Sequence, residues 1–364
     1  MNKSTIVFAA LALLAASCTK TEVVSCDAQG SQRGIGFSAY TAKPTKAAQK
    51  DVTTEDFNSF QVSAIGNNAV YFDNVTFNWK SASNVWESNP VYFWPAFKLN
   101  FYAYNTPEKG TFGRTINATD PQTLTFTPST VLAEQEDLVA AFAKDQTDPR
   151  GATSLTFNHY LTQVVVKALN TNSTYKVEVA GVKIAHMKNK VKYTFSSEST
   201  EVATDAADET YSSEFTANAK TLTAEAQEVM TANTGNKWYL VPQTVTAWNQ
   251  ATESTNSSEH TYLALKVKIT ANAGALKIYP ASGSEEYAWM AIPLSQGFLQ
   301  GHKYTFVIKF FANNGAGYVD PENPGELDGD SNTPDAGKSI IGGAITFRAT
   351  VSDWTPETEI EISL

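Results

Sequence analysis

From Gly34 the hydrophobic pattern becomes that of β-strands, beginning with apolar and polar residues that alternate at period two, the spacing that puts one face of a strand against a core. Ile35, Phe37 and Ala39 alternate with Gly36, Ser38 and Tyr40. Runs rich in β-branched and aromatic residues follow at 58–65, 75–79, 91–93, 99–104 and 124–126. Further runs lie at 161–169, 175–179, 182–185, 190–195, 237–241 and 261–269. A last group occupies 287–292, 303–311, 345–351 and 359–362. Turn residues separate these runs, and only a short stretch around 132–137 has helical character. The pattern predicts an all-β protein. With 364 residues and more than a dozen strands it exceeds one sandwich, so two tandem β-sandwich domains are expected. The polar, acidic stretch 196–208 (SSESTEVATDAAD) is the preferred linker, giving domains at 34–195 and 196–364; a competing division lies at 145–153 (DQTDPRGAT).

The N-terminus reads as an address. Met1-Asn2-Lys3 supplies a positive start, and 6–16 is an apolar run of eleven residues. That is shorter than the ~20 residues a membrane-spanning helix needs, so 1–17 is expected to be a removable signal peptide. The stretch Leu14-Ala15-Ala16-Ser17-Cys18 resembles a bacterial lipobox. The resemblance implies that Cys18 becomes the acylated first residue, anchoring the chain to the outer membrane with ~0.8 kcal/mol for each buried CH₂. Residues 18–33 then form a polar tether, and its second cysteine, Cys26, has nothing nearby to activate its thiol.

Charge and motif content narrow the chemistry. Lys and Arg number 27 against 37 Asp and Glu, a net charge of −10, which opposes any nucleic-acid surface. The four histidines are widely separated, and no hydrolase, Walker or dinucleotide motif occurs, so neither catalysis nor a cofactor is expected. His159, in Phe157-Asn158-His159-Tyr160, is expected to open a long strand and to be a satisfied polar group. The aromatic cluster 92–104 reads as a core strand pair; its alternative is a set of exposed rings that stack on sugars. The acidic segment 318–338 contains Asp328, Asp330 and Asn332 at the alternating spacing of a calcium loop. Thr333 and Ser339 stand where such a loop needs glycine and glutamate. A solvated loop is therefore expected there, with no metal.

Taken in order, several segments resemble the fimbrillin-like lipoproteins of Bacteroides-type bacteria, the subunits of type V pili. They are Cys18-Thr19-Lys20, Ile35-Gly36-Phe37-Ser38, Phe93-Trp94-Pro95, Asn100-Phe101-Tyr102-Ala103-Tyr104 and Phe157-Asn158-His159-Tyr160-Leu161. Towards the end come Leu240-Val241-Pro242-Gln243, Gly301-His302-Lys303-Tyr304-Thr305-Phe306 and Val351-Ser352-Asp353-Trp354. The resemblance implies two tandem transthyretin-like β-sandwich domains, no enzymatic activity, and other pilus subunits as partners, with a host protein or glycan receptor as an adhesion target. It also implies proteolytic loss of a first strand carrying Ile35, Phe37 and Ala39, and its replacement by a strand of the next subunit.

On that pattern the cut falls between Lys46 and Ala47, where lysine stands in place of the family's usual arginine; a cut between Arg33 and Gly34 is the less favoured site. The donor would be the C-terminal segment from Ile345 on, in which Ile360, Ile362 and Leu364 alternate with polar residues; the alternative is that this end completes its own sandwich. Whether the subunit serves as stalk, tip or anchor stays open, and a surface glycan-binding lipoprotein is the competing function.

Overall fold

The computed structural model describes residues 33–41, 57–119, 121–251, 260–272, 276–281, 285–327, 335–342 and 345–353. Within them the chain is all-β, and the expected helical stretch is a single 3-10 turn at Leu132–Glu134. The first nine strands are β1 (Gly36–Thr41), β2 (Ser59–Gly66), β3 (Ala69–Lys80), β4 (Val85–Ser88), β5 (Leu99–Tyr104), β6 (Thr111–Thr115), β7 (Thr123–Thr127), β8 (Val139–Gln146) and β9 (Thr153–His159). Seven of them form a closed barrel in the order β1-β4-β3-β2-β5-β8-β9. Its interior is filled by aromatic and small apolar side chains from inward-facing positions, including Phe37, Phe60, Phe77, Phe101, Leu155 and Phe157.

The second series runs β10 (Thr162–Asn170), β11 (Tyr175–Lys188), β12 (Val191–Thr194), β13 (Ser199–Val202), β14 (Asp208–Glu214), β15 (Lys220–Thr221), β16 (Gln227–Glu228) and β17 (Trp238–Leu240). It continues with β18 (Tyr262–Ala271), β19 (Lys277–Tyr279), β20 (Ala288–Pro293), β21 (His302–Phe310), β22 (Tyr318–Val319) and β23 (Thr346–Asp353). Here two sheets face each other. One has the order β16-β10-β21-β23, with β17 also on β10; the other is β14-β11-β18-β20-β22, with β15 and β19 on β11 and β18. The core between them draws Val164 and Val166 from β10, Phe306 and Ile308 from β21, Val182 and Ile184 from β11, and Leu263 and Leu265 from β18. This is the layered arrangement of a β-sandwich.

Strand pairing does not change at 195/196. β10 and β11 precede that position, yet they pair with β21 and β18, eight residues of β10 running parallel to β21. The break falls instead at Tyr160-Leu161, between the end of the barrel at His159 and the start of β10. The supposed linker contains β13, paired with β12, and β12 pairs in turn with β7 to make the four-stranded sheet β13-β12-β7-β6. Its polar composition has a plain cause: β13 is an edge strand whose residues alternate between exposed and half-buried, so no apolar face was there to betray it. The competing position, 145–153, is the connection from β8 to β9 inside the barrel.

That four-stranded sheet covers a second core made by both halves. Tyr102 and Tyr104 of β5 enter it from the barrel and meet Phe126, Tyr160, Tyr193, Phe195, Tyr239 and Val241. β5 is therefore buried on both faces, with Phe101 in the barrel and Tyr102 at the junction. The Tyr160 and Tyr193 rings lie 3.8 Å apart, their hydroxyls hydrogen-bonded at 2.9 Å. Burial pushes the Tyr160 hydroxyl up to about 12.

Candidate functional site

The local sequence of β1 dictates how it sits. Ile35, Phe37 and Ala39 are all buried, while Gly36 and Ser38 on the other face are half-exposed, as period-two alternation requires. The Phe37 ring is fully enclosed. It meets Phe77 and Phe101 nearly edge-on, with centroids 4.8 and 5.0 Å away, and Phe60 at 6.1 Å.

β1 also closes the barrel. On one side it runs parallel to β9, from Phe37 opposite Thr153 to Thr41 opposite Phe157. On the other it touches β4 through only Gly36 opposite Glu87 and Phe37 opposite Trp86. β9 in turn is joined to β8 at just Val139–His159 and Ala140–Asn158. Taking β1 away would open the barrel between β4 and β9 and bare a slot floored by Phe60, Phe77, Phe101 and Phe157. Such a slot presents unpaired backbone groups along β9 and apolar pockets at alternate positions, the two features an incoming strand needs.

The residues just before β1 are tied down. The Arg33 carbonyl accepts a hydrogen bond from the Trp94 N–H at 3.1 Å, Gly34 bridges to Phe93, and the Ile35 N–H donates to the Tyr92 carbonyl at 2.7 Å. The Arg33 side chain lies 3.3 Å from Asp148. The aromatic cluster 92–104 thus serves as wall and core. Among the described residues the exposed large apolar side chains are Val70, Val91, Val131, Leu276, Leu299 and Val351, with no aromatic ring among them.

Several predicted residues fall outside the described ones: Cys18, Lys46, Ala47, Asp328, Asp330, Asn332, Ile360, Ile362 and Leu364. The start of the candidate donor segment is described. β23 lies at the edge of its sheet, paired antiparallel with β21 from His302–Asp353 to Lys309–Thr346. Among the described residues no group of three or more His, Cys, Asp or Glu side chains is arranged around a common point for a metal.

The acidic segment differs from its expected solvation. Asp320 and Asp335 are buried, Asp320 against Lys183 and Asp335 against Lys338 and the Leu327 N–H. His159 is buried too, its Nδ1 2.6 Å from Asp137 Oδ2. That partner lies 22 residues upstream, beyond the reach of any local motif. Absent from the predicted runs are β4, β6, β8, β9 and β14, among others. β8 reads VAAFAKDQ, whose alanines mute its alternation, whereas Leu155 and Phe157 in β9 carried a period-two signal.

The sequence matches the fimbrillin-like family over residues 39–354. No curated protein sequence matches the chain. Among solved structures, a fimbrial protein from Bacteroides vulgatus superposes with a TM-score of 0.55 at 17% identity, covering 88% of this chain and 99% of that one. The fimbrial anchor protein Mfa2 from Porphyromonas gingivalis superposes at 0.30 and 11% identity, covering 76% and 91%. The first of these likenesses concerns the fold, while the family match takes in nearly all of the barrel and sandwich just described: the chain belongs to the fimbrillin-like family.

Proposed function

We propose that this chain is an exported, non-catalytic pilus subunit that polymerises by strand exchange. β1 is cut away from the barrel, and a C-terminal strand of the next subunit enters the slot between β4 and β9. The observation that carries this reading is the attachment of β1: a fully buried Phe37, a parallel ladder to β9, and only two paired positions on β4. A parallel ladder is slightly weaker per residue than an antiparallel one. Burial of Ile35 and Phe37 contributes about 3–6 kcal/mol together, and an incoming strand would have to recover it. Ile360, Ile362 and Leu364 repeat the i, i+2, i+4 spacing of Ile35, Phe37 and Ala39, which suits them to that slot.

The cut in this scheme lies at Lys46–Ala47. Cleavage at Arg33–Gly34 would leave β1 in the barrel, and the backbone pairing of residues 33–35 with 92–94 opposes entry of that bond into a protease. Before processing, Cys18 carries the lipid that holds the precursor at the outer membrane. The burial of the rings on the described surface supports a packing role for the aromatics over a sugar-binding one.

The test is the N-terminus of the protein taken from filaments and from membranes, read by mass spectrometry. A filament form that begins at Ala47 is expected. Filaments built only of chains that retain residues 34–42 would overturn strand exchange.

A further inference from the structure

On the outer face of the second sandwich sheet lies a buried cluster that has no part in the proposed strand exchange. Lys183 sits in the middle of β11, the longest strand, opposite Ala264 of β18; Ala264 faces Ala291 of β20, and Ala291 faces Tyr318 of β22. The two alanines leave room above the sheet, and the Lys183 side chain occupies it, its Nζ 5.4 Å from the Tyr262 ring centre and 4.9 Å from that of Trp289. Nζ ends 2.7 Å from Oδ2 of Asp320, which follows β22; the two side chains are 5% and 0% exposed. Ion pairs this deep are uncommon, because desolvation offsets most of the attraction.

The two oxygens of Asp320 are treated differently. Oδ1 accepts hydrogen bonds from the backbone N–H of Glu322 at 2.9 Å and of Asn323 at 2.8 Å, and from the Tyr262 hydroxyl at 3.3 Å. Oδ2 accepts none: the approach of Nζ lies outside hydrogen-bonding angles, although the distance is short. The Tyr262 hydroxyl also reaches Glu322 Oε2 at 3.1 Å, and Glu322 pairs with His186, which fixes the residues around the carboxyl. A carboxyl group with one oxygen in a nest of donors and the other bare towards an amine is arranged for attack at its carbon.

We propose that Lys183 and Asp320 condense into an intramolecular amide that staples β11 to the segment after β22. One proton passes from Nζ to the carboxylate, giving the free amine and the carboxylic acid; enclosure from water lowers the cost of neutralising the pair. The Nζ lone pair then forms a bond to Cγ, and the charge gathers on Oδ1, where the two N–H groups and the Tyr262 hydroxyl hold it. The Cγ–Oδ2 bond breaks, and Oδ2 leaves as water. Of the three hydrogens on the original ammonium, two depart in that water and one remains on the amide nitrogen, so no oxidant, nucleotide or other co-reactant is needed. Contact between the groups substitutes an effective concentration on the order of 10⁵–10⁸ M for a bimolecular encounter.

The proposal is independent of how the subunit polymerises. It is tested by peptide mapping of the folded full chain after denaturation and digestion, so that processing at the N-terminus does not enter. The expected product is one branched peptide joining Lys183 to Asp320, lighter than its two parts by one water. Lys183→Arg and Asp320→Ala should abolish it, and Asp320→Asn should give the same branched peptide with loss of ammonia. Recovery of both linear peptides at full mass from folded wild-type protein would overturn the proposal. So would a branch from Lys183 to any other residue.

Discussion

Replacing Phe37 with alanine measures how firmly β1 is held. The ring has no exposed surface and touches three other rings, two of them nearly perpendicular at 72° and 86°. Removing a buried phenylalanine from a core costs about 3–5 kcal/mol, the spread reflecting how far the site collapses. Here collapse is limited, because Phe77 and Phe101 are themselves fixed within β3 and β5. Edge-to-face ring pairs add ~0.5–1.5 kcal/mol each beyond the buried area. The upper half of the range, about 4–5 kcal/mol, is therefore expected for Phe37→Ala in the unprocessed chain. The assay is denaturant unfolding followed by fluorescence of Trp86 and Trp94, which belong to the barrel core. Ser38→Ala, one residue along on the opposite face, is the control and should change stability by less than ~0.5 kcal/mol. A loss below ~1 kcal/mol for Phe37→Ala, or equal effects from both substitutions, would refute the packing argument. Once β1 has been removed the substitution should have no effect, since the residue has left with the strand.

Two further outcomes are expected. His159→Ala leaves the Asp137 carboxylate buried with Oδ1 already lacking a donor, so it should cost about 3–5 kcal/mol. Asp137→Ala removes the carboxyl itself together with its hydrogen bond to the ring and should cost less, ~1.5–3 kcal/mol; urea unfolding of both variants checks the order. The hydrogen bond from His186, against partial burial, holds the Glu322 carboxyl below its ordinary 4.5. A carboxyl lowered in the folded state contributes stability present in full above 4.5 and lost as pH falls through the depressed value. Acid titration of stability should therefore fall more steeply in that range for the wild type than for His186→Ala, and equal curves would remove the pair from the account.

Ile35, Phe37 and Ala39 could be read correctly from the chain because one face of β1 is wet and the other dry, and alternation records that contrast directly. Tyr102 and Tyr104, on the opposite face of β5 from Phe101, belong to the second core, and the sequence could not tell the two cores apart, since a strand buried on both sides has no contrast to show. The stretch 199–202 failed in the opposite way: an edge strand with neither face fully buried reads as linker. Asp320 carried no local sign of burial. Among neighbouring carboxylates it looks solvated, and its partner Lys183 is brought to it only by the stacking of β11, β18, β20 and β22.

The sheet β13-β12-β7-β6 has a mechanical meaning. The β6–β7 hairpin grows out of the barrel and the β12–β13 hairpin out of the sandwich, and their ladder runs from Val191–Phe126 to Thr194–Thr123. The two halves are therefore joined by a clasp as well as by the single chain crossing at Tyr160-Leu161. A bead built this way resists bending at its waist. If the proposed strand exchange strings beads of this kind end to end, the compliance of the fibre sits in the joints between subunits, and a pull on it is felt first where one subunit's strand lies in its neighbour.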